Sequence, residues 1–236
     1  MQLHDGLRKV ASIIIEIGVI MTTSLGNHHL CKVTLLGNLV AKPEVRYFTN
    51  PVLAVAEIVI ATHSRWFDKS SNQYKEWTDF HTIKVIGDIV EEALLYAEKG
   101  DVMLIHGYLL DSAKSKRQII HANFAQHFAK GYAQSINMVQ LSGEINAPIR
   151  LVTTSNNKQM AELSLSVKHQ VISEASGKKQ DFTMTRLVHV WGKQATYIAN
   201  NAQEGSQVVV EGKLSYQNDS AKTQFIEAKQ TVVLKT

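Results

Sequence analysis

Apolar and β-branched residues concentrate at Lys32–Leu39 and again at Val52–Thr62, short runs that predict strands. Phe80–Ile86 alternates more strictly. Side chains alternate across a strand, so His81, Ile83 and Val85 share one face and Phe80, Thr82, Lys84 and Ile86 share the other. The first set is the candidate core face. The period then lengthens. "DIVEEALLYAEKG" places Ile89, Ala93 and Tyr96–Ala97 on one side of a helix, with Gly100 suited to the position after its end. Two more strands follow Gly100. Three strands, a helix and two strands make one unit of about 100 residues.

That unit occurs twice. "LLGNL" at Leu35–Leu39 answers to "LSGEI" at Leu141–Ile145, "AEI" at Ala56–Ile58 to "AEL" at Ala161–Leu163, and "VIGD" at Val85–Asp88 to "VWGK" at Val190–Lys193. "KGDVMLIHGYL" from Lys99 likewise answers to "EGSQVVVEGKL" from Glu204. The blocks keep their order and a nearly constant separation, which marks a tandem duplication. The helix of the second copy is "KQATYIANNAQEG", ending at Gly205. Strand order in each copy is that of an OB-fold, a five-stranded, partly open Greek-key barrel. The predicted fold is therefore all-β with one short helix per domain, as two tandem OB-folds. The predicted units are an N-terminal extension at 1–27, a first domain at 28–130 and a second at 137–236. "HFAKGYAQSIN", His127 to Asn137, joins them and is neither long nor Pro/Gly/Ser-rich, so the barrels are expected to lie close together.

"RWFDKSSNQYKEWTDF", Arg65 to Phe80, gathers Trp66, Phe67, Tyr74, Trp77 and Phe80 in a chain with only 7% aromatics. Arg65, Lys69 and Lys75 are interspersed among them. Phe80 and Lys84 also stand side by side on the outward face of the third strand, with Ile86 beyond them. A half-buried phenylalanine beside a solvated lysine is the plain alternative for that face. Rings and cations together suit single-stranded nucleic acid, because every base has a π-face and every linkage a phosphate. In a duplex the base faces already stack on one another. The same face of copy two carries Thr185, Leu187, His189 and Trp191, so only Trp191 remains as a strong stacking candidate. Residues 31–136 hold 12 Lys/Arg against 11 Asp/Glu, and residues 137–236 hold 11 against 8, so copy two has more of the positive charge. The candidate strand-contacting residues are Trp66, Lys69, Tyr74, Trp77, Phe80, Lys84, Ile86, His189 and Trp191.

Composition narrows the classes further. At 44% hydrophobic and 19% charged, the 236-residue chain is an ordinary globular protein. Its net charge of +4 permits a polyanionic partner without demanding one. Cys31 is the one cysteine, which excludes an internal disulfide and suits the cytoplasm. "HHLC" at His28–Cys31 has no second cluster at ligand spacing, so no metal is expected. No phosphate loop or nucleophile elbow occurs, and His81, His106 and His189 lack a carboxylate at motif spacing. Neither an enzyme nor a cofactor is expected. The apolar run Val10–Met21 follows Arg8 and Lys9 but is interrupted by Glu16, and it is shorter than the ~20 residues that cross a bilayer. Met21 reads as the natural start, and no membrane association is expected.

"CKVTLLGNLVAKPEVRYF", "AVAEIVIATHSRWFDK" and "EWTDFHTIKVIGDIVEEALLYAEKGDVMLIHGYL" closely resemble bacterial-type single-stranded DNA-binding proteins, over about Lys32 to Phe124. The resemblance implies that Trp66 and Phe80 stack on bases and that Lys69 contacts the strand. Phe80 replaces the family's more usual tryptophan. Copy two is similar more loosely, and its opening "VQLSGEINAPIRLV" also resembles primosomal replication protein N. Val171 and Thr185 stand there in place of Trp66 and Phe80. The basic, aromatic segment usual after the fourth strand is reduced to Lys114, Lys116 and Arg117, and the chain ends "TVVLKT" without the family's acidic recruiting tail. Binding and protection of single-stranded DNA in replication, recombination or repair is the expected function. A primosome-type or recombination-mediator protein, with copy two bound to protein, is the alternative, and an OB-containing hydrolase the distant one. Four barrels per functional unit in the family imply a homodimer of this two-barrel chain.

Overall fold

The computed structural model describes residues 28–49, 51–69, 71–112, 117–131, 134–155, 157–172, 176–219 and 222–234. The N-terminal run Val10–Met21 and the loop residues Lys114 and Lys116 lie outside the described residues. Copy one contains β1 (Cys31–Leu39), β2 (Val45–Thr49), β3 (Val52–Asp68), β4 (Gln73–Ile86), α1 (Asp88–Leu94), β5 (Val102–Asp111) and β6 (Gln118–Phe128). Copy two repeats them as β7 (Ile136–Ile145), β8 (Arg150–Thr153), β9 (Gln159–Ile172), β10 (Lys179–Trp191), α2 (Lys193–Asn201), β11 (Gln207–Tyr216) and β12 (Gln224–Leu234).

In each copy five of these strands close into a barrel. In copy one β3, β4, β6, β5 and β1 are successive neighbours, and β1 returns to β3 at Asn38↔Ala61 and Leu39↔Ile60. The step from β4 to β6 is parallel, at Ile83↔Ile120 and Lys84↔His121, and the other pairings within copy one are antiparallel. Copy two closes the same way at Glu144↔Ser166 and Ile145↔Leu165. Closure brings two backbones together at the repeated glycine. A Cβ on Gly37 would sit 2.3 Å from the Ala61 carbonyl oxygen, and one on Gly143 would sit 2.9 Å from that of Ser166. No side chain fits there without moving the backbone. This is the physical content of the shared "LLGNL/LSGEI" motif.

The expected alternation holds in β4, where His81, Ile83 and Val85 are buried inside the barrel beside Val33, Leu35, Ile60 and Ile105. Three details differ from the expectation. A short strand, β2 in copy one and β8 in copy two, is added at the outer edge of the long second strand. β3 runs on past Thr62 and β4 begins before Phe80, so the aromatic segment lies on the strands themselves. β3 and β4 stay in register out to Asp68↔Gln73, and Asn72, just before Gln73, has φ 53. Asparagine tolerates that left-handed conformation better than most residues. Finally, α1 buries Val90, Ala93 and Leu94 and leaves Ile89 only half-buried. Tyr96 is exposed because the helix ends at Leu94, so the helical period no longer applies to it.

β1 and β7 pair antiparallel, from Cys31↔Leu141 to Leu36↔Ile136, and join the barrels through one continuous sheet. One hydrophobic cluster runs through both copies. The ends of the first strands fasten the junction further. His29 donates its N–H to Lys168 O at 2.7 Å, and Ser135 Oγ accepts the N–H of His63 at 2.9 Å. No helix among the described residues is long and apolar enough to cross a membrane.

Candidate nucleic-acid interface

Cross-strand register sorts the candidate residues, because directly opposed residues share a face. On the outer face of copy one, Arg46 of β2 lies beside Val55 of β3 and that beside Ile86 of β4. The next row is Glu57, Lys84 and His121, and farther along β4 comes Phe80 opposite Ala61. Phe80 is 55% exposed, although it flanks the fully buried His81. Phe48 adds a second exposed ring at the far edge, opposite Leu53. A groove of about 620 Å³ runs along this side, lined by Lys42, Arg46, Phe48, Val55, Glu57 and Lys84 among others. Arg46 and Phe48 were not among the expected contacts. Val45 and Tyr47 face the other way, but "VRYFT" is exposed at nearly every position and offers no apolar stripe that would have marked the strand.

The five rings of the long hairpin do not form one surface. Phe67, Tyr74 and Phe80 share the outer face with Arg65, whereas Trp66 and Trp77 lie on the face that continues inward as Thr62 and Asp79. The hairpin projects past the end of the barrel core, so both faces are open there, and Trp66 remains 46% exposed. Phe67 and Tyr74 meet edge to face at 5.3 Å, and the Arg65 guanidinium sits 4.4 Å from the Tyr74 ring centroid. Arg65 also faces Glu76 at 3.6 Å, and Lys75 is ion-paired to Asp68. These side chains brace the hairpin. Lys69 is exposed at the tip.

Trp77 is anchored differently. Its indole N–H donates to Asp79 Oδ1 at 3.0 Å, and Ser215 Oγ of copy two donates to the same oxygen at 3.4 Å. Burial raises the Asp79 carboxyl above its ordinary range, opposed by the hydrogen bond from Trp77 and the charge of Lys213. The indole is thereby held at the junction with its ring still half-exposed. Trp77 and Phe80 form one wall of a cleft of about 400 Å³ whose other walls are Arg117 of copy one and Tyr216, Asn218 and Lys222 of copy two. Sequence patterning had no means of showing this cleft, because its walls come from both copies and meet only after the copies dock.

Copy two presents a different surface. Thr185 occupies the position of Phe80, and the half-buried Val171 that of Trp66. The His189 side chain is only 12% exposed, with its ring 4.3 Å from Phe225 and its Nε2 3.4 Å from Glu162. Burial lowers its pKa against the opposing pull of Glu162. Arg150 lies 3.7 Å from the same Glu162, and Lys213 is paired with Glu227 at 3.1 Å. Trp191, at the end of β10, is 39% exposed. The extra positive charge of copy two is thus partly neutralised where it lies on this face.

The "HHLC" residues point apart. His28 faces Asp181 at 3.2 Å, His29 Nδ1 accepts the Lys168 N–H at 3.0 Å, and the buried Cys31 Sγ accepts the Leu109 N–H at 3.3 Å. Burial raises the Cys31 thiol pKa. Among the described residues no three His, Cys, Asp or Glu side chains converge as metal ligands.

The chain is similar in fold to two crystal structures of the single-stranded DNA binding protein from Thermus aquaticus. A deletion variant of that protein matches at TM-score 0.73 with 22% identity, covering 89% of this chain and 97% of that one. The wild-type protein matches at TM-score 0.71 with 22% identity, over 89% of this chain and 95% of its own. The sequence pattern of the Single-strand binding protein family matches twice, at residues 30–121 and 136–235. With both barrels matched separately and most of its length covered, the chain belongs to the Single-strand binding protein family.

Proposed function

We propose that this chain binds and protects single-stranded DNA without regard to sequence, chiefly along the outer face of copy one. Binding of single strands, with no catalytic step, goes with the family. The residue-level reading rests on one observation. Phe80, Lys84 and Ile86 follow one another along an exposed face, with Arg46 in register beside them. Phe80 and Ile86 offer flat or apolar contact to bases, and Arg46 and Lys84 neutralise phosphates. Trp66, Tyr74, Trp77 and Lys69 extend the track along the hairpin. The cleft beside Trp77 and Phe80 carries the strand toward copy two, where Lys222, Trp191 and, more weakly, His189 continue it.

The working units are residues 28–130 and 137–236, and two chains of 26.3 kDa assemble as a homodimer with four barrels. DNA as the ligand goes with a cytoplasmic protein. Titration of tryptophan fluorescence with poly(dT) tests the reading. Saturable quenching is expected, reversed by salt. No quenching at micromolar protein would refute it. Light scattering of the purified protein tests the homodimer, and a monomer at that concentration would remove it.

A further inference from the structure

The two copies meet through equivalent contacts of unequal chemistry. Where the repeat places His81 in copy one it places Arg186 in copy two, and Asp111 corresponds in the same way to Tyr216. His81 Nδ1 and Tyr216 Oη lie 3.1 Å apart across the junction. At the equivalent crossing, Arg186 Nη1 donates to Asp111 Oδ1 at 2.7 Å. A second pair follows the same rule. Ser215 Oγ donates to Asp79 at 3.4 Å, and the counterparts of these residues are Leu110 and Met184.

Each copy can be set against its own kind. Copy two on copy two would bring Arg186 against Tyr216 at both crossings. Arg186 is 1% exposed, and its Nε and Nη2 have no acceptor among the described residues even with Asp111 in place. A phenol cannot neutralise the guanidinium, and a buried charge stripped of its partner is strongly destabilising. Copy one on copy one would bring Asp79, also buried, against Leu110 in place of the Ser215 hydroxyl. That removes the longer of the two hydrogen bonds to Asp79 Oδ1 and leaves the one from Trp77. Copy one on itself would also set His81 against Asp111, a compatible pair, so the strong penalty falls on copy two against itself.

We infer that the β1–β7 junction is a recognition surface for the unlike copy: copy two accepts copy one, from the same chain or a second one, and rejects its own kind. The inference concerns pairing between barrels and stands apart from the DNA-binding reading.

Thermal melting of full-length variants tests it. Asp111→Tyr recreates the rejected contact of copy two with itself and should lower the melting temperature by roughly 10 °C. Arg186→His, added to it, makes both crossings alike and neutral and should restore most of the loss. Asp111→Asn and its partner Arg186→Met repeat the comparison with no added bulk. Ser215→Leu, the contact of copy one with itself, should cost less and be rescued by Asp79→Met. The inference is overturned if both Asp111 variants melt within about 2 °C of the unaltered chain, or if neither double variant recovers. Cross-linking reads pairing directly. Val33 faces Val139 in the native register, so in a like pair of second copies Val139 would face itself. In a Cys31→Ala background, Val139→Cys refolded under oxidising conditions should yield several-fold more disulfide-linked dimer once Arg186→Met is added. Equal yields with and without that change would also overturn it.

Discussion

On the outer face of copy one Phe80 is uncovered and Arg46 and Lys84 line an open groove, whereas on that of copy two Thr185 replaces the ring and His189 is wedged between Phe225 and Glu162. Inside, the barrels hardly differ. Ile83 and Val85 match Val188 and Val190, all fully buried, and both copies close at a glycine. Duplication has therefore held the innermost apolar positions fixed and let the outward ones drift, while the buried junction positions of His81 and Asp79 carry Arg186 and Met184 in copy two. Inward residues answer to packing, where a change of one methylene is felt. Outward residues answer only to what they bind.

Acid should separate the copies most. Burial drives the pKa of His81 down to about 4, and His121, buried and beside Lys84, also falls to about 4. Their counterparts in copy two are Arg186 and Glu227. A folded-state pKa below the unfolded 6.5 means that the unfolded chain binds more protons between those values. Stability is thus complete above about pH 6.5 and falls as the pH drops toward 4, by up to about 3 kcal/mol per histidine. Urea melts from pH 7.5 to 4 measure this, and His81→Gln should flatten the curve. A curve unchanged by that substitution would show that His81 takes up its proton without strain.

Next in size is the loss of a stacking ring. Phe80→Ala and Trp66→Ala should each weaken poly(dT) binding by about 1–3 kcal/mol without moving the melting temperature. Trp191→Ala should cost less than about 1 kcal/mol. The reverse ranking would place the main track on copy two. A smaller, opposite effect is expected from grafting. Thr185→Trp gives copy two a ring where copy one has Phe80, and affinity should rise by about 1 kcal/mol. Smallest is the change in salt dependence. Lys84→Ala should reduce the log–log slope of affinity against salt by about 0.7, the value for one phosphate on a single strand. Lys213→Ala, whose charge already faces Glu227, should change it by less.

Most of the barrel was legible because period and repeat are local signals. The parity of Phe80–Ile86 separated the buried from the exposed side chains of β4 as the structure does. β2 was not legible, since a five-residue edge strand exposed on nearly every side carries no apolar stripe. The helix face was misjudged because a pattern read through Tyr96 assumed a helix that stops at Leu94. Within the site, the separation of Trp66 and Trp77 from Phe80 follows from β3–β4 register, which the hairpin residues do not declare until the turn is located between Asp68 and Gln73. The cleft and the Arg186–Asp111 pair depend on how the copies dock. Backbone pairing between β1 and β7 leaves only a faint trace, in that "VTLL" and "MVQL" have little polar content for strands with a wet edge.

That pairing also changes what counts as the folding unit. The backbone amides of Val33–Leu36 lie between β5 on one side and β7 on the other. Their slow hydrogen exchange would require a joint opening of both barrels, so they belong to one cooperative unit that spans the duplication. If copy two unfolded alone, β1 would present a bare, largely apolar edge, the kind of surface that recruits other strands into aggregates. The duplicated halves are therefore not beads on a string. Melting should occur in a single step, and a lesion in either barrel should be paid by both.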